Sequence, residues 1–119
     1  MASVCLQVCV SCSDAAGGEP SAGRRLYEAL VKACAGNPEI SVAPVDCFAV
    51  CDRPVTLAFS AMEGERWSYL IGGADAARDI ADILSAAKAV AASPHGVPAM
   101  AERPSFFRKG VIARMPPAP

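Results

Sequence analysis

Two cysteine pairs at the ends of apolar runs constrain this chain more than any other feature. Cys9-Val-Ser-Cys12 closes the first run and Cys47-Phe-Ala-Val-Cys51 closes another, with 34 residues between the pairs. Two short-spaced pairs on separate loops are what a four-thiolate metal site needs. Each pair sets a local bite, and the fold must close one pair onto the other. A fold that uses them has to bring the ends of those two runs together.

The pattern between the pairs supplies a way to do so. Val4, Leu6 and Val8 alternate with Cys5, Gln7 and Cys9, the period of two that predicts a strand over residues 3–9. Residues 11–20, rich in Ser, Gly and Ala, form a loop. Ser21 is placed to cap a helix carrying Leu26, Leu30 and Ala33 or Cys34, which Gly36-Asn37-Pro38 stops. A second strand over residues 40–45 leads into Asp46-Cys47, and Pro44 within it argues against a central position. Strand, helix, strand implies a parallel crossover, which sets both strand ends, and both cysteine pairs, at one edge of a sheet. Residues 55–61 and 66–71 are two further strand-like runs joined by Met62-Glu63-Gly64-Glu65, a hairpin-length connection, after which Gly72-Gly73 ends the sheet. Residues 74–92 follow as a long Ala-rich helix with Ile80, Ile83, Leu84 and Ala87 on one face. The predicted class is α/β, in the thioredoxin-like order βαβ then ββα.

Composition narrows the function classes. With 119 residues, 53% hydrophobic and 19% charged, the chain suits one compact domain with a real core. We assign residues 1–92 to that domain and residues 93–119 to an extended C-terminal arm packed on it or on a partner. A net charge of -1 argues against nucleic acid, because neutralising phosphates needs a clear excess of Lys and Arg. The charge is uneven: Arg103, Arg108, Lys109 and Arg114 give residues 103–119 a charge of +4, against -5 for the rest. The apolar start lacks a basic leader segment, is broken by Gln7 and is too short to span a membrane, so a cytoplasmic location is expected. Thiols stay reduced there, which favours metal or redox chemistry over structural disulfides.

The four cysteines admit several chemistries. A [2Fe-2S] cluster would take two sulfurs per iron, which matches two pairs. A tetrahedral zinc site needs the same ligands and is the second reading. A thiol-disulfide oxidoreductase would need Cys9-x-x-Cys12 at a helix start, yet residues 13–20 intervene. Unliganded core cysteines are the remaining option. Cys5-x-x-x-Cys9-x-x-Cys12 has the spacing of radical enzymes that bind a [4Fe-4S] cluster, but the chain is too short for their barrel, and Cys5 and Cys34 are expected to be core.

The chain resembles the thioredoxin-like [2Fe-2S] ferredoxins in its order of elements and in Cys47 to Cys51 followed by Pro54. It departs from them at Cys9 and Cys12, which stand closer together than the first pair of that family. A second resemblance covers nearly the whole chain. Val8-Cys9-Val10-Ser11-Cys12, Trp67-Ser68-Tyr69-Leu70 and the ending from Arg103-Pro104 to Lys109-Gly110-Val111-Ile112-Ala113-Arg114-Met115-Pro116-Pro117 look like a bacterial family of small predicted metal-binding proteins, often associated with cobalamin-biosynthesis genes. The resemblances imply a one-electron carrier, not an enzyme, with Cys9, Cys12, Cys47 and Cys51 holding a [2Fe-2S] cluster and a redox protein as partner. A second copy of the chain is also a candidate partner, since some of those ferredoxins are dimers. The alternative is a non-redox module that holds or delivers zinc or cobalt.

Other features carry less. His95, the single histidine, lies in a Pro-Gly loop and is expected to be an ordinary exposed side chain. Gly72-Gly73 lacks a dinucleotide-binding context and is expected to be a turn. Trp67 and Tyr69 share a strand face and are expected to pack on the sheet. The tail, with its prolines, Phe106, Phe107 and basic residues, is expected either to cover its own domain or to dock on an acidic partner through Arg108, Lys109 and Arg114.

Overall fold

A computed structural model describes residues 4–11, 20–49, 53–61 and 67–116. Its elements are β1 (Val4–Cys9), α1 (Ala22–Cys34), β2 (Ile40–Val45), β3 (Leu57–Ala61), β4 (Ser68–Ile71), α2 (Ile80–Ala92), α3 (Ser105–Gly110) and β5 (Val111–Met115). The five strands form one sheet in the order β2-β1-β3-β4-β5. β1 and β2 run parallel, and every other neighbouring pair is antiparallel. This is a thioredoxin-like α/β fold, and the expected crossover is present. β2 lies at an edge, where the missing N–H of Pro44 costs the sheet least.

The alternation in β1 decides which way the sheet faces. Val4, Leu6 and Val8 are fully buried, whereas Cys5 and Gln7 on the other face are half-buried. On that second face the Ser60 hydroxyl donates to Gln7 Oε1 at 3.0 Å. Leu26 and Leu30 of α1 and Ile83, Ala86, Ala87 and Val90 of α2 bury against the apolar face. α1 touches α2, and α2 touches α3, so the helices share one layer over the sheet. Ser21 caps α1 as expected, its side chain accepting from Arg24 N at 3.1 Å.

Two boundaries differ from the sequence expectation. The helix expected from residue 74 begins at Ile80. Asp75 instead holds a turn, its carboxylate accepting from the backbone of Ala77 and Arg78 at 2.8 and 3.0 Å. The Asp79 side chain, 2% exposed, accepts from Asp75 N at 2.9 Å and from Arg78 Nε and Nη2 at 2.8 Å each. Those hydrogen bonds, Arg78 foremost, hold its carboxyl below the usual carboxylate range. The second difference concerns the sheet, which does not end at Gly72-Gly73. The segment expected as an extended arm contains α3 and then β5, paired antiparallel to β4.

Phe107 explains why the tail folds back. It is fully buried, with ring centroids 4.9 Å from Tyr69, 5.2 Å from Phe59 and 6.2 Å from Phe106. An aromatic cluster of this kind is stabilising beyond its buried area. Tyr69 is therefore core, as expected, while Trp67 precedes β4 and lies under the Arg114 guanidinium at 4.4 Å. His95 is exposed, and its carbonyl accepts from Trp67 N at 2.7 Å. No helix among the described residues is long and apolar enough to cross a membrane.

Candidate metal centre

The parallel pairing of β1 and β2 fixes the centre. Cys9 stands opposite Val45 in register, and Cys47 follows two residues later. Val10 N donates to Val45 O at 2.9 Å and Cys9 N to Thr56 O at 3.1 Å, so the backbone around Cys9 is tied to both neighbouring strands. The two loops that leave the strands are tied as well. The Ser11 hydroxyl donates to the Asp46 carbonyl, and the Cys9 sulfur lies 3.6 Å from Ser11 Oγ and 3.8 Å from Asp46 O. The first cysteine loop is thus hydrogen-bonded directly to the approach of the second.

The two described sulfurs of the expected set sit in different surroundings. Cys9 is 2% exposed, whereas Cys47 is exposed. Ala49 N donates to Cys47 Sγ at 3.1 Å, with Ala49 itself in the left-handed region at φ 64. An amide aimed at sulfur stabilises negative charge there, which suits a thiolate or a metal-bound thiolate. Phe48, between these residues, packs against the core and anchors the loop.

Helix α1 closes the site from behind. The Ser21 hydroxyl donates to Val10 O at 2.6 Å, linking the helix cap to the end of β1. Gly23 lets the helix approach: a Cβ there would stand 1.9 Å from the Cys9 carbonyl oxygen and 3.1 Å from Val10 Cα. Only glycine fits at that contact. Ser11, Ser21, Gly23 and Ala49 shape this corner. The sequence reading recognised Ser21 as a cap but not as a link to β1. Gly23, directly after the cap and first helical residue, carries a signal only once the contact with the strand end is known.

Cys12 and Cys51 lie outside the described residues. Among the described residues no three His, Cys, Asp or Glu side chains converge. What is described fits a thiolate-bound group: a buried sulfur on a rigid strand end, and an exposed sulfur with an amide directed at it. The remaining cysteines stand away. Cys5 is four residues up β1 from Cys9, about 13 Å distant. Cys34 ends α1 about 17 Å from Gly23 along the helix axis. It is buried, and burial pushes its thiol pKa up, the behaviour of a core cysteine.

Residues 6–117 match the model of a family described as "Protein of unknown function (DUF1636)". Among solved structures, the fold is similar to a thioredoxin-like [2Fe-2S] ferredoxin from Aquifex aeolicus. The TM-score is 0.59 and the identity 14%, over 100% of this chain and 99% of the other. No curated protein matches the sequence.

Proposed function

We propose that this chain, which belongs to the DUF1636 family of proteins of unknown function, is a one-electron carrier whose Cys9, Cys12, Cys47 and Cys51 hold a [2Fe-2S] cluster. The observation that carries the reading is the β1–β2 register, which brings Cys9 and the approach to Cys47 to one sheet end. The ferredoxin-like fold supports it. When bound, the cluster would supply reversible one-electron chemistry. The chain's own part is to fix the sulfurs, to donate Ala49 N–H toward Cys47, and to keep Cys9 away from water. Thiolate ligands at such a site call for a reducing compartment, which supports a cytoplasmic location. The finer assignment, a cobalt-reducing step in cobalamin synthesis, rests on the resemblance of the motifs around Cys9, Trp67 and Arg103. The close spacing of Cys9 and Cys12 favours a second reading, a non-redox zinc or cobalt module.

An absorption spectrum of anaerobically purified protein, with iron, acid-labile sulfide and zinc measured on the same sample, separates the two. Charge-transfer bands that bleach with dithionite, with about two irons and two sulfides per chain, are expected for the carrier. Colourless protein with stoichiometric zinc, even after reconstitution, would establish the second reading instead. Single Ser variants of Cys9, Cys12, Cys47 and Cys51 should lose the chromophore, and those of Cys5 and Cys34 should keep it. The reverse pattern would overturn the ligand set.

A further inference from the structure

The basic residues of the C-terminal segment form one group in sequence, but the sheet divides them. β3 enters at the sheet end occupied by Cys9, with Leu57 opposite Val8. β4 returns to that end, with Ile71 opposite Leu57, and β5 departs from it, with Val111 near Ile71. Arg108 and Lys109, in the last turn of α3, therefore stand at the cysteine end, and Arg114, opposite Tyr69, lies about 10 Å along the strand toward the other end.

A backbone clasp joins this corner to the second cysteine loop. Gly72 N donates to Gly110 O at 2.8 Å, and Gly73 N to Arg53 O at 3.1 Å. Arg53, two residues after Cys51 in sequence, extends Nη2 to within 3.4 Å of Lys109 O. Gly72 allows the clasp: a Cβ there would meet both Arg53 Cβ and Ile112 Cδ1 at 3.0 Å.

The charges on this corner are available. Arg108 and Lys109 are exposed, and among the described residues neither forms an ion pair. Arg103 and Arg114 are instead engaged over Tyr69 at 5.7 Å and Trp67 at 4.4 Å. Asp79 and Asp82 line a groove with Lys109, and Asp75 lies in the turn before α2. Asp79 is paired with Arg78, and the Asp75 carboxylate is bonded to backbone amides. Asp75 keeps its charge and Asp82 shares a groove with Lys109, so two acids stand against the three cations Arg53, Arg108 and Lys109.

We propose that the face formed by Arg53, Arg108 and Lys109 is the docking surface for an acidic redox partner. β5, which α3 leads into, lies three strand spacings from β1, about 14 Å across the sheet end. The proposal rests on the carrier reading and adds the class of partner and where it sits. Complementary charge at such a face steers encounter and fixes orientation.

Two small oxidants of opposite charge test it on the reduced full chain by stopped flow, each ion taking one electron. Oxidation by the anion hexacyanoferrate(III) should slow as salt rises, and in R108E/K109E it should fall roughly tenfold at low ionic strength. Oxidation by the cation hexaammineruthenium(III) should accelerate in the same variant, which simple damage to the fold would not produce. R114E should leave both rates within about twofold of the parent. Equal rates for R108E/K109E and the parent, or an equal effect of R114E, would overturn the assignment. Should no reducible chromophore form, the carrier reading falls and takes the redox character of the partner with it. The surface is then read separately, by titrating hexaglutamate into the labelled metal-free chain. Amide shifts confined to residues 53, 72–73 and 108–111 support an acidic partner there, and shifts elsewhere or none refute it.

Discussion

Replacing Gly23 by alanine isolates the contact that seats α1 against the end of β1 at Cys9. On helix propensity alone the change should help, by up to about 1 kcal/mol. The new Cβ, however, would lie 1.9 Å from the Cys9 carbonyl oxygen, far inside the roughly 3.5 Å at which non-bonded atoms rest. The opposing atoms are backbone, so no rotamer relieves the clash. Val8 and Leu26 are fully buried on either side, so neither element moves freely. Overpacking costs about 1–3 kcal/mol, and rigid partners place this case at the upper end. Net of the helix gain, we expect a loss of about 2 kcal/mol, which for a domain of this size lowers Tm by about 8 °C. Urea and thermal melts of the reduced, metal-free chain measure it. Gly36→Ala is the control: its φ is +84 and nothing lies near its Cβ, so it should cost only about 1 kcal/mol and leave metal loading unchanged. A Gly23→Ala chain that melts at or above the parent temperature would refute the reasoning.

Phe107→Ala should cost about 3–5 kcal/mol in urea titrations, because the ring is fully buried among Phe59, Tyr69 and Phe106; a cost below about 1 kcal/mol would show that the tail is not part of the core. Asp79→Asn should cost stability in a pH-dependent way. The folded carboxyl titrates below its unfolded value, so its contribution is complete above about pH 4 and is lost as pH falls through the folded value. The gap between parent and variant, followed by urea melts from pH 7 to pH 2, should therefore close on acidification. In the reduced, metal-free chain iodoacetamide should modify Cys47 well before Cys34, read by peptide mass spectrometry, since Cys47 is exposed whereas Cys34 is buried with its thiol pKa raised.

What was legible in the sequence were the local signals. The alternation through Val4, Leu6 and Val8, the Ser21 cap and the Pro44 edge strand are each set by neighbours in the chain, and each is found. The start of α2 was not, because the apolar spacing and alanines before Ile80 look helical while the Asp75 side chain captures the amides that would begin an earlier helix. The fifth strand was hidden for another reason. Prolines and cations suggest an extended arm laid on the domain or on a partner, and only the non-local meeting of Phe107 with Phe59 and Tyr69 makes a helix and a fifth strand favourable there. At the candidate site, the cysteine spacing points to metal chemistry, but the clamp formed by Ser11 and Asp46 depends on strand register. Cys12 and Cys51 lie outside the described residues.

The register of β1 with β2 bears on how the chain would take up a metal on the proposed reading. In an unfolded chain, joining Cys9 to Cys47 through a metal closes a loop spanning 38 sequence steps, an entropic cost of about 3 kcal/mol before any constant term. Here apolar burial and sheet hydrogen bonds hold the two strand ends together independently of the metal. On the proposed reading, a metal taken up at these loops would meet strand ends already in place, so its binding would not have to carry the free energy of folding. Small zinc modules that unfold on chelation lack this separation. A chain built this way is expected to stay folded whether or not its cysteines hold a metal.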